Sequence, residues 1–377
     1  MASVTPPRVF VGAEAFTNAL RADLEHCEHT LRVQFSTFEG DAAGQAFAGM
    51  LLERAAAGVE VQLILDGYSE VITDDVYPFA LRGRAKLHAE KRRTVELLAH
   101  LESSGIAIHR VAPAGRFARY LLYRDHKKMV VIDGRAAYVG GFNVSDHNYA
   151  WHDFMVRVDG DVVRDVARDF ASTWAGETVA LTERLDHGDY VLNQSAGRPT
   201  ILDDALRLIA GARERLVIES PYLCGGSIEG AILDAARRGV RVLLVTPLRP
   251  NHLHNKVWVR KLRRRLRHAN IQLVGYPGTG GMTHAKLLIV DNRVASFGSV
   301  NYQEIEALTQ KELNVVTRDP DLVAELGALA AADAAESRPV PIPRTAFGWW
   351  SYRLAFWLVR IWTNRLLRKP DWRARYC

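Results

Sequence analysis

The chain has 377 residues, of which 48% are hydrophobic and 24% are charged, and its formal net charge is +6. This composition is ordinary for a globular protein with a full core, and three widely spaced cysteines exclude a disulfide framework or a cysteine metal site. At about 150 residues per domain, the length predicts two to three domains. The N-terminus, MASVTPPRVF, has neither a signal-peptide core nor a membrane span, so we expect the chain in the cytoplasm or on the cytoplasmic face of a membrane.

In chain order, the first half alternates strands with helices. LRVQFSTF at 31–38 and IAIHRV at 106–111 read as strands, and ERAAAGVEVQLILDG at 53–67 reads as a helix end, a stop at Gly58 and a buried strand. An insert at 70–98 carries a basic cluster, for which a solvated helix face and a substrate-facing role both stay open. Its basic residues are Arg82, Arg84, Lys86, Lys91, Arg92 and Arg93.

The second half repeats this order. RLVIESPYL at 215–223, DAARRGVRVLLVTPL at 234–248 and IQLVGY at 271–276 return as strands, with a helix stop at Gly239. Strands that alternate with helices predict an α/β layered domain, here made twice. We expect residues 176–200 to join the two halves.

Each half also carries one copy of an eighteen-residue motif. HKKMVVIDGRAAYVGGFN begins at residue 126, and HAKLLIVDNRVASFGSVN begins 158 positions later, at residue 284. Five shared positions at ordinary residue usage make one chance copy about a one-in-a-million event per start position, so the motif is an internal repeat. The shared pairs are His126 and His284, Lys128 and Lys286, Asp133 and Asp291, Gly140 and Gly298, and Asn143 and Asn301.

The repeated residue types suit chemistry at phosphorus. Alternate residues on a strand face the same way, so a His and a Lys two apart project together. Histidine transfers protons or attacks near neutral pH, lysine places a positive charge on a phosphate oxygen, and asparagine supplies neutral donors. If the halves face each other, one histidine can attack and the other can protonate the leaving oxygen. This chemistry requires no metal or other cofactor, and we predict none.

The motifs resemble the signature of the phospholipase D superfamily, H-x-K-x4-D-x6-G-[SG]-x-N, which both copies match, with Gly141 and Ser299 at the variable position. Within it the chain resembles bacterial cardiolipin synthases and related phosphatidyltransferases, through AAAGVEVQLILDGY, WHDFMVRVDG, IESPYL and THAKLLIVD. The resemblance covers roughly residues 8–335. It implies an α/β, phospholipase D-like pseudo-dimer of two α/β/α sandwich domains with mixed sheets and the active site at the domain interface.

The resemblance also implies roles for individual residues. His126 would be the nucleophile of a phosphohistidine intermediate and His284 the general acid and then base. Relatives orient each histidine with an acid about ten residues past the Asn, and Asp153 and Glu312 match those positions. The candidate catalytic residues are His126, Lys128, Asp133, His284, Lys286 and Asp291, although we favour structural ion pairs for the two aspartates, because a buried carboxylate needs a partner. The candidate phosphate-binding residues are Lys128, Asn143, Lys286, Asn301 and Ser299.

Two features depart from the family pattern. Many relatives carry an Arg-Ser pair shortly after the second Asn, where this chain has EIEA at 304–307. The best-known cardiolipin synthases begin with two membrane spans, and we predict none here. Both features bear on which lipid and which acceptor the site takes.

Positive charge is concentrated in two segments that indicate an anionic partner. Residues 235–290 hold twelve Lys and Arg and no acid, and residues 344–377 hold eight and one acid. FGWWSYRLAFWLVRIW at 347–362 is shorter than the about 20 apolar residues of a span, so we predict an in-plane helix on anionic lipid. A helix docked on the protein's own core or on a second subunit is the alternative. KVWVRKLRRRLRH at 256–268 is a predicted helix that fits lipid headgroups, nucleic-acid phosphates or solvent.

The preferred function is a cardiolipin synthase-like phosphatidyltransferase that moves a phosphatidyl group to an alcohol such as phosphatidylglycerol. A phospholipase D hydrolase, a nuclease or phosphodiesterase of the superfamily, and a non-enzymatic membrane scaffold are alternatives. We expect anionic phospholipids and a membrane surface as partners, no nucleic acid, and a peripheral location on the cytoplasmic face of the cell membrane. His252 and His254 lack a third ligand and are interpreted as loop residues. The predicted segments are two phospholipase D-like domains at 1–180 and 198–336 and the membrane-interface helix at 345–377.

Overall fold

The computed structural model describes residues 8–67, 84–112, 123–177, 179–181, 188–195, 197–223, 226–251, 253–278 and 280–340, with residues 357 and 361. The predicted helix at 345–377 therefore lies outside the described residues, apart from those two positions, where Trp357 is helical and exposed. His252, the side chain of His254 and insert residues 68–83 lie outside as well. Within the described part of the chain, no helix is both long and apolar enough to cross a membrane.

The first half forms a seven-stranded mixed sheet. Its strands are β1 (Val9–Val11), β2 (Thr30–Phe35), β3 (Glu60–Asp66), β4 (Ala107–Val111), β6 (Met129–Ile132), β7 (Ala136–Gly140) and β8 (Phe154–Asp159). The order is β1-β8-β7-β6-β2-β3-β4, in which β2, β3 and β4 are parallel and the other pairs antiparallel. Its helices are α1 (Ala13–Leu24), α2 (Ala42–Ala56), α3 (Arg84–Ser103), α4 (Asp146–Tyr149) and α5 (Asp161–Trp174).

The second half forms a nine-stranded sheet that also takes in β5 (Arg124–Asp125), from just before the first motif. Its other strands are β9 (Tyr190–Gln194), β10 (Arg215–Glu219), β11 (Arg241–Pro247), β12 (Ile271–Tyr276), β13 (Leu287–Val290), β14 (Val294–Gly298), β15 (Gln310–Thr317) and β16 (Arg338–Pro339). The order is β16-β12-β11-β10-β13-β14-β15-β5, and β9 also pairs with β15. Its helices are α6 (Thr200–Gly211), α7 (Gly226–Arg237), α8 (Leu253–Arg265), α9 (Glu304–Thr309) and α10 (Pro320–Glu336).

The two halves share one topology, which confirms the predicted α/β fold. In each, three parallel strands are followed by an antiparallel meander that begins with the motif strand, β6 against β2 and β13 against β10. Gly58 and Gly239 end equivalent helices at φ 88° and 95°, values that glycine adopts without steric cost. The predicted helix at 256–268 overlaps α8, which begins earlier, at Leu253, and ends at Arg265; several of its side chains lie outside the described residues.

One hydrophobic cluster joins the halves. It contains Val139 and Phe154 of the first sheet, Phe297 and Leu313 of the second sheet, and side chains of α5 and α10. Two further clusters lie within the first half and within the second half. Because the shared cluster runs between the sheets and includes residues of both motif strands, it holds the two motifs against each other, and that contact positions the site.

Candidate active site

The backbone of each motif histidine is held by the opposite half. The His126 N–H donates to the carbonyl of Lys311 on β15 at 2.8 Å. The His284 N–H donates to the carbonyl of His152, next to β8, at 2.7 Å. In each motif, the backbone just before the motif strand therefore pairs with the other half of the chain. This pairing brings the two histidines to one interface.

The orienting carboxylates also cross between the halves. His126 Nδ1 lies 3.1 Å and 3.2 Å from the two carboxylate oxygens of Glu312. His284 Nδ1 lies 2.7 Å from Asp153 Oδ2. A carboxylate at Nδ1 fixes the tautomer and leaves Nε2 as the reactive nitrogen. The sequence predicts both acids, but it does not predict that each one serves the histidine of the other half.

The two motif lysines are buried beside the histidines. Lys128 Nζ donates to the His126 carbonyl at 2.5 Å and to Ser36 Oγ at 3.0 Å. Lys286 Nζ donates to the His284 carbonyl at 2.5 Å and lies 4.0 Å from Asp153 Oδ2. Both ammonium groups are therefore held against the reactive centre instead of extending into solvent.

The two motif asparagines are also buried, in different surroundings. Asn143 Oδ1 accepts a hydrogen bond from Ser36 Oγ at 2.8 Å and another from the Thr37 N–H at 3.2 Å. Asn301 Oδ1 is buried and has no hydrogen-bond donor among the residues that the structure describes. Ser36 links Lys128 with Asn143, and sequence reasoning missed it, because it appeared only as the end of an apolar strand.

The glycines of the motif are explained by close backbone approach. A Cβ at Gly140 would lie 2.3 Å from the Phe154 carbonyl, and one at Gly298 would lie 2.3 Å from the Leu313 carbonyl. A Cβ at Gly141 would lie 2.4 Å from both oxygens of Asp153. Contacts this short leave no room for a side chain at any of the three positions.

Ser299, the counterpart of Gly141, makes the halves unequal. Its hydroxyl donates to the Leu313 carbonyl at 3.2 Å and accepts from the Leu313 N–H at 3.0 Å. The hydroxyl is thus engaged with the backbone of β15, beside Glu312. The phosphate-binding role of Ser299 stays a prediction, and its observed hydrogen bonds hold the strand that carries Glu312.

The motif aspartates do not enter the site, which corrects their place in the catalytic set. Asp133 accepts from the backbone N–H groups of Glu28, His29 and Thr30 at 2.7 to 2.9 Å. Asp291 accepts in the same way from the N–H groups of residues 213–215. These amide bonds, rather than the ion pairs we favoured, hold the pKa of both carboxyls below the usual range. Each aspartate fixes the turn before the first parallel strand of its own half.

Burial dominates the electrostatics of the site. It lowers the pKa of both histidines well below the usual value, and the two lysines beside them lower it further. Burial also lowers the pKa of Lys128 to about 7 and that of Lys286 to about 8. It raises the pKa of Asp153 to about 6 and that of Glu312 to about 8. An anion bound between the lysines would add negative charge beside two ammonium groups that burial has removed from water.

Three further side chains border the site and were missed from the sequence. The Trp151 ring centroid lies 4.9 Å from that of His284, and the Tyr222 centroid lies 6.3 Å from it. Glu306, the second glutamate of the EIEA stretch, has its pKa raised to about 8 by burial and by nearby Glu312. Trp151 is two residues from Asp153 in the sequence, so its position next to an orienting acid was the one available signal.

Comparison with known proteins points to one family. A family model described as "Cardiolipin synthase, PLD-like domain" matches residues 20–174 and 205–333. Cardiolipin synthase A of Pseudomonas aeruginosa is 28% identical over 350 residues, which cover 88% of this chain and 67% of that protein. Cardiolipin synthase of Oceanobacillus iheyensis is 25% identical over 344 residues, which cover 84% and 66%. The chain thus spans about two thirds of the length of the curated relatives it matches.

Solved structures agree on the fold. A phosphatidylserine synthase from Haemophilus influenzae is similar with a TM-score of 0.68 over 97% of this chain and 96% of that chain, at 12% identity. A polyphosphate kinase from Porphyromonas gingivalis is similar with a TM-score of 0.57 over 86% and 50%, at 14% identity. At such identities the likeness establishes the architecture alone.

Proposed function

This chain belongs to the family described as cardiolipin synthase, PLD-like domain, and from that premise we propose that it is a phosphatidyltransferase. It would move a phosphatidyl group from one phospholipid to an alcohol such as phosphatidylglycerol, through a phosphohistidine on His126. The observation that carries the proposal is the crossed pair of histidines, each held at Nδ1 by a carboxylate of the other half, with two buried lysines beside them. The names of the relatives support a lipid substrate.

In the first step, His126 Nε2 attacks phosphorus and the bond from phosphorus to the leaving alkoxide breaks. His284 gives its proton to that oxygen. In the second step, His284 takes the proton of the acceptor hydroxyl, whose oxygen attacks phosphorus, and the N–P bond breaks. The phosphodiester anion adds negative charge beside His284, which raises the pKa of that imidazole and lets it enter the complex protonated. Lys128, Lys286, Asn143 and Asn301 would hold the non-bridging oxygens.

We further propose that residues 1–180 and 198–336 form two phospholipase D-like domains and that residues 345–377 form a helix that holds the protein at the periphery of the membrane. Exposed arginines near the C-terminal end of α8, Arg264 and Arg267, support an anionic surface as partner. If water replaced the acceptor alcohol, the same site would act as a phospholipase D. We propose that the acceptor is an alcohol and that the reaction is transfer.

The test incubates purified protein with phosphatidylglycerol vesicles and identifies the products by mass spectrometry. We expect cardiolipin and free glycerol from the native chain. Phosphatidic acid without cardiolipin would show that the same site catalyses hydrolysis instead of transfer. The absence of product from every phospholipid, with cleavage of nucleic acid instead, would contradict the lipid proposal.

The two lysines predict the alkaline limit of activity. A lysine is charged below its pKa, and the pKa values of Lys128 and Lys286 are about 7 and about 8. We therefore expect kcat/KM to fall as the pH rises through 7 to 8, because kcat/KM reports groups of the free enzyme. Vesicle sedimentation over the same pH range separates this loss from detachment. A kcat/KM that stays constant to pH 10 would contradict the assignment of the lysines as phosphate-binding cations.

A further inference from the structure

A second cluster of titratable side chains lies behind His284. His152 Nε2 is 2.9 Å from Asp333 of α10, and Glu219, at the end of β10, contacts the same aspartate. One ligand atom from each of the three residues lies within 4.8 Å of the other two. The Tyr276 hydroxyl lies 3.4 Å from His152 Nδ1, and its ring stacks on the imidazole with centroids 4.5 Å apart. The cluster draws one residue from the first half and two from the second.

The position equivalent to Glu219 in the first half shows which side chain is sufficient to support the fold there. Gln34 and Glu219 occupy equivalent places, because Gln34 pairs with Met129 and Glu219 pairs with Leu287 at the same position of the two motif strands. Gln34 Nε2 donates to Asp125 at 2.8 Å, and Glu219 Oε1 accepts from Thr283 Oγ1 at 2.6 Å. A neutral amide is thus enough to brace the segment before the histidine. The carboxylate of Glu219 therefore brings a negative charge that this structural role does not require.

That carboxylate is also incompletely satisfied. Glu219 is fully buried, and its Oε2 has no hydrogen-bond donor within the part of the chain that the structure describes. Asp333 is 3% exposed and already accepts from His152. Two buried carboxylates in contact repel each other unless a proton or a metal cation lies between them. The arrangement therefore calls for a positive charge at the point where Glu219, Asp333 and His152 converge.

We propose that His152, Glu219 and Asp333 form a binding site for a divalent transition-metal cation, with Zn²⁺ as the best match. Zn²⁺ accepts both imidazole nitrogen and carboxylate oxygen, whereas Ca²⁺ and Mg²⁺ take oxygen ligands only. Three protein ligands leave a fourth position open, and the 20% exposure of the His152 side chain gives a route for entry. The site is separate from phosphoryl transfer and does not depend on the proposed substrate.

A cation here would brace the second catalytic histidine from behind. The His284 N–H donates to the His152 carbonyl, and the His152 N–H donates to the Met282 carbonyl at 3.0 Å. Thr283, between those residues, donates to Glu219. Three ligands from α10, β10 and the segment before β8 would tie both halves together at this point. The expected effect is on stability, with any effect on activity following from it.

The test uses the whole chain and measures metal as well as stability. After dialysis against Zn²⁺ and removal of free ion, elemental analysis should find one zinc per native chain. Zn²⁺ at about 100 times its Kd should raise the Tm by about 3 °C or more, and a chelator should reverse the rise. Glu219→Gln should lose both the zinc and the Tm response, and Asp333→Asn serves as a second variant. Asp321→Asn, an exposed acid on the same helix, should retain both.

A shared proton is the competing occupant, and Glu219→Gln separates the two. An amide imitates a protonated carboxyl, so a proton-only cluster predicts that the variant keeps its Tm and that native protein retains no zinc. That result would overturn the proposal. Equal zinc content in native protein and Glu219→Gln would overturn it as well, because the metal would then be bound elsewhere.

Discussion

Replacement of either motif histidine, in His126→Ala or His284→Ala, is expected to lower phosphatidyl transfer by about 10⁴-fold or more. Each variant removes a group that takes part in bond making or proton transfer, and no other described side chain is placed to take over the role. Product formation from phosphatidylglycerol vesicles, measured by mass spectrometry, gives the rates. His100→Ala, an exposed histidine on α3, should retain native activity and serves as the matched control.

The same two variants distinguish the roles of the histidines. A lipid with a good leaving group, such as a nitrophenyl phosphodiester, does not need a general acid in the first step. With this substrate, His284→Ala should still accumulate a phosphatidyl adduct on the peptide that contains His126, and His126→Ala should form none. An adduct on His284 would reverse the assignment, and full turnover in both variants would remove the histidines from the mechanism.

The second large effect is expected at the acids that cross between the halves. Glu312→Gln and Asp153→Asn should each lower kcat by about 10² to 10⁴-fold, with a smaller change in KM, since an amide at Nδ1 no longer fixes the catalytic tautomer. Both substitutions keep the size of the side chain. Thermal unfolding should therefore stay close to native, which separates loss of orientation from loss of fold.

Rates measured with a good leaving group test which acid serves which histidine. Glu312 contacts the proposed nucleophile, His126, whereas Asp153 contacts the proposed acid, His284. With a nitrophenyl leaving group, we expect Asp153→Asn to regain most of the first-step rate and Glu312→Gln to stay slow. The reverse pattern, with the adduct still on His126, would mean that each acid serves the histidine of its own half, contrary to the observed contacts.

The sequence predicted much of the site because the motif is local. His126 and Lys128 are two residues apart before a strand, and the same spacing recurs at His284 and Lys286, so the fixed alternation of a strand brings each pair together. The glycine stops and the apolar runs were read correctly for the same reason, since they depend on backbone geometry within a few residues. The motif aspartates misled us because a carboxylate in a motif reads as an ion-pair partner. Amide groups, which are invisible in a sequence, can satisfy it equally well.

By itself, therefore, the sequence determined the α/β class and the duplication, and it predicted the histidines, lysines, asparagines and acids that meet at the interface. Only the tertiary structure decided that Glu312 reaches His126, that Asp153 reaches His284, and that Asp333 meets Glu219 and His152. These partners lie 186, 131 and more than 100 positions apart along the chain. Periodicity reflects hydrogen bonds between near neighbours, whereas contacts across two sheets depend on how a shared core packs, and residue spacing does not encode that packing.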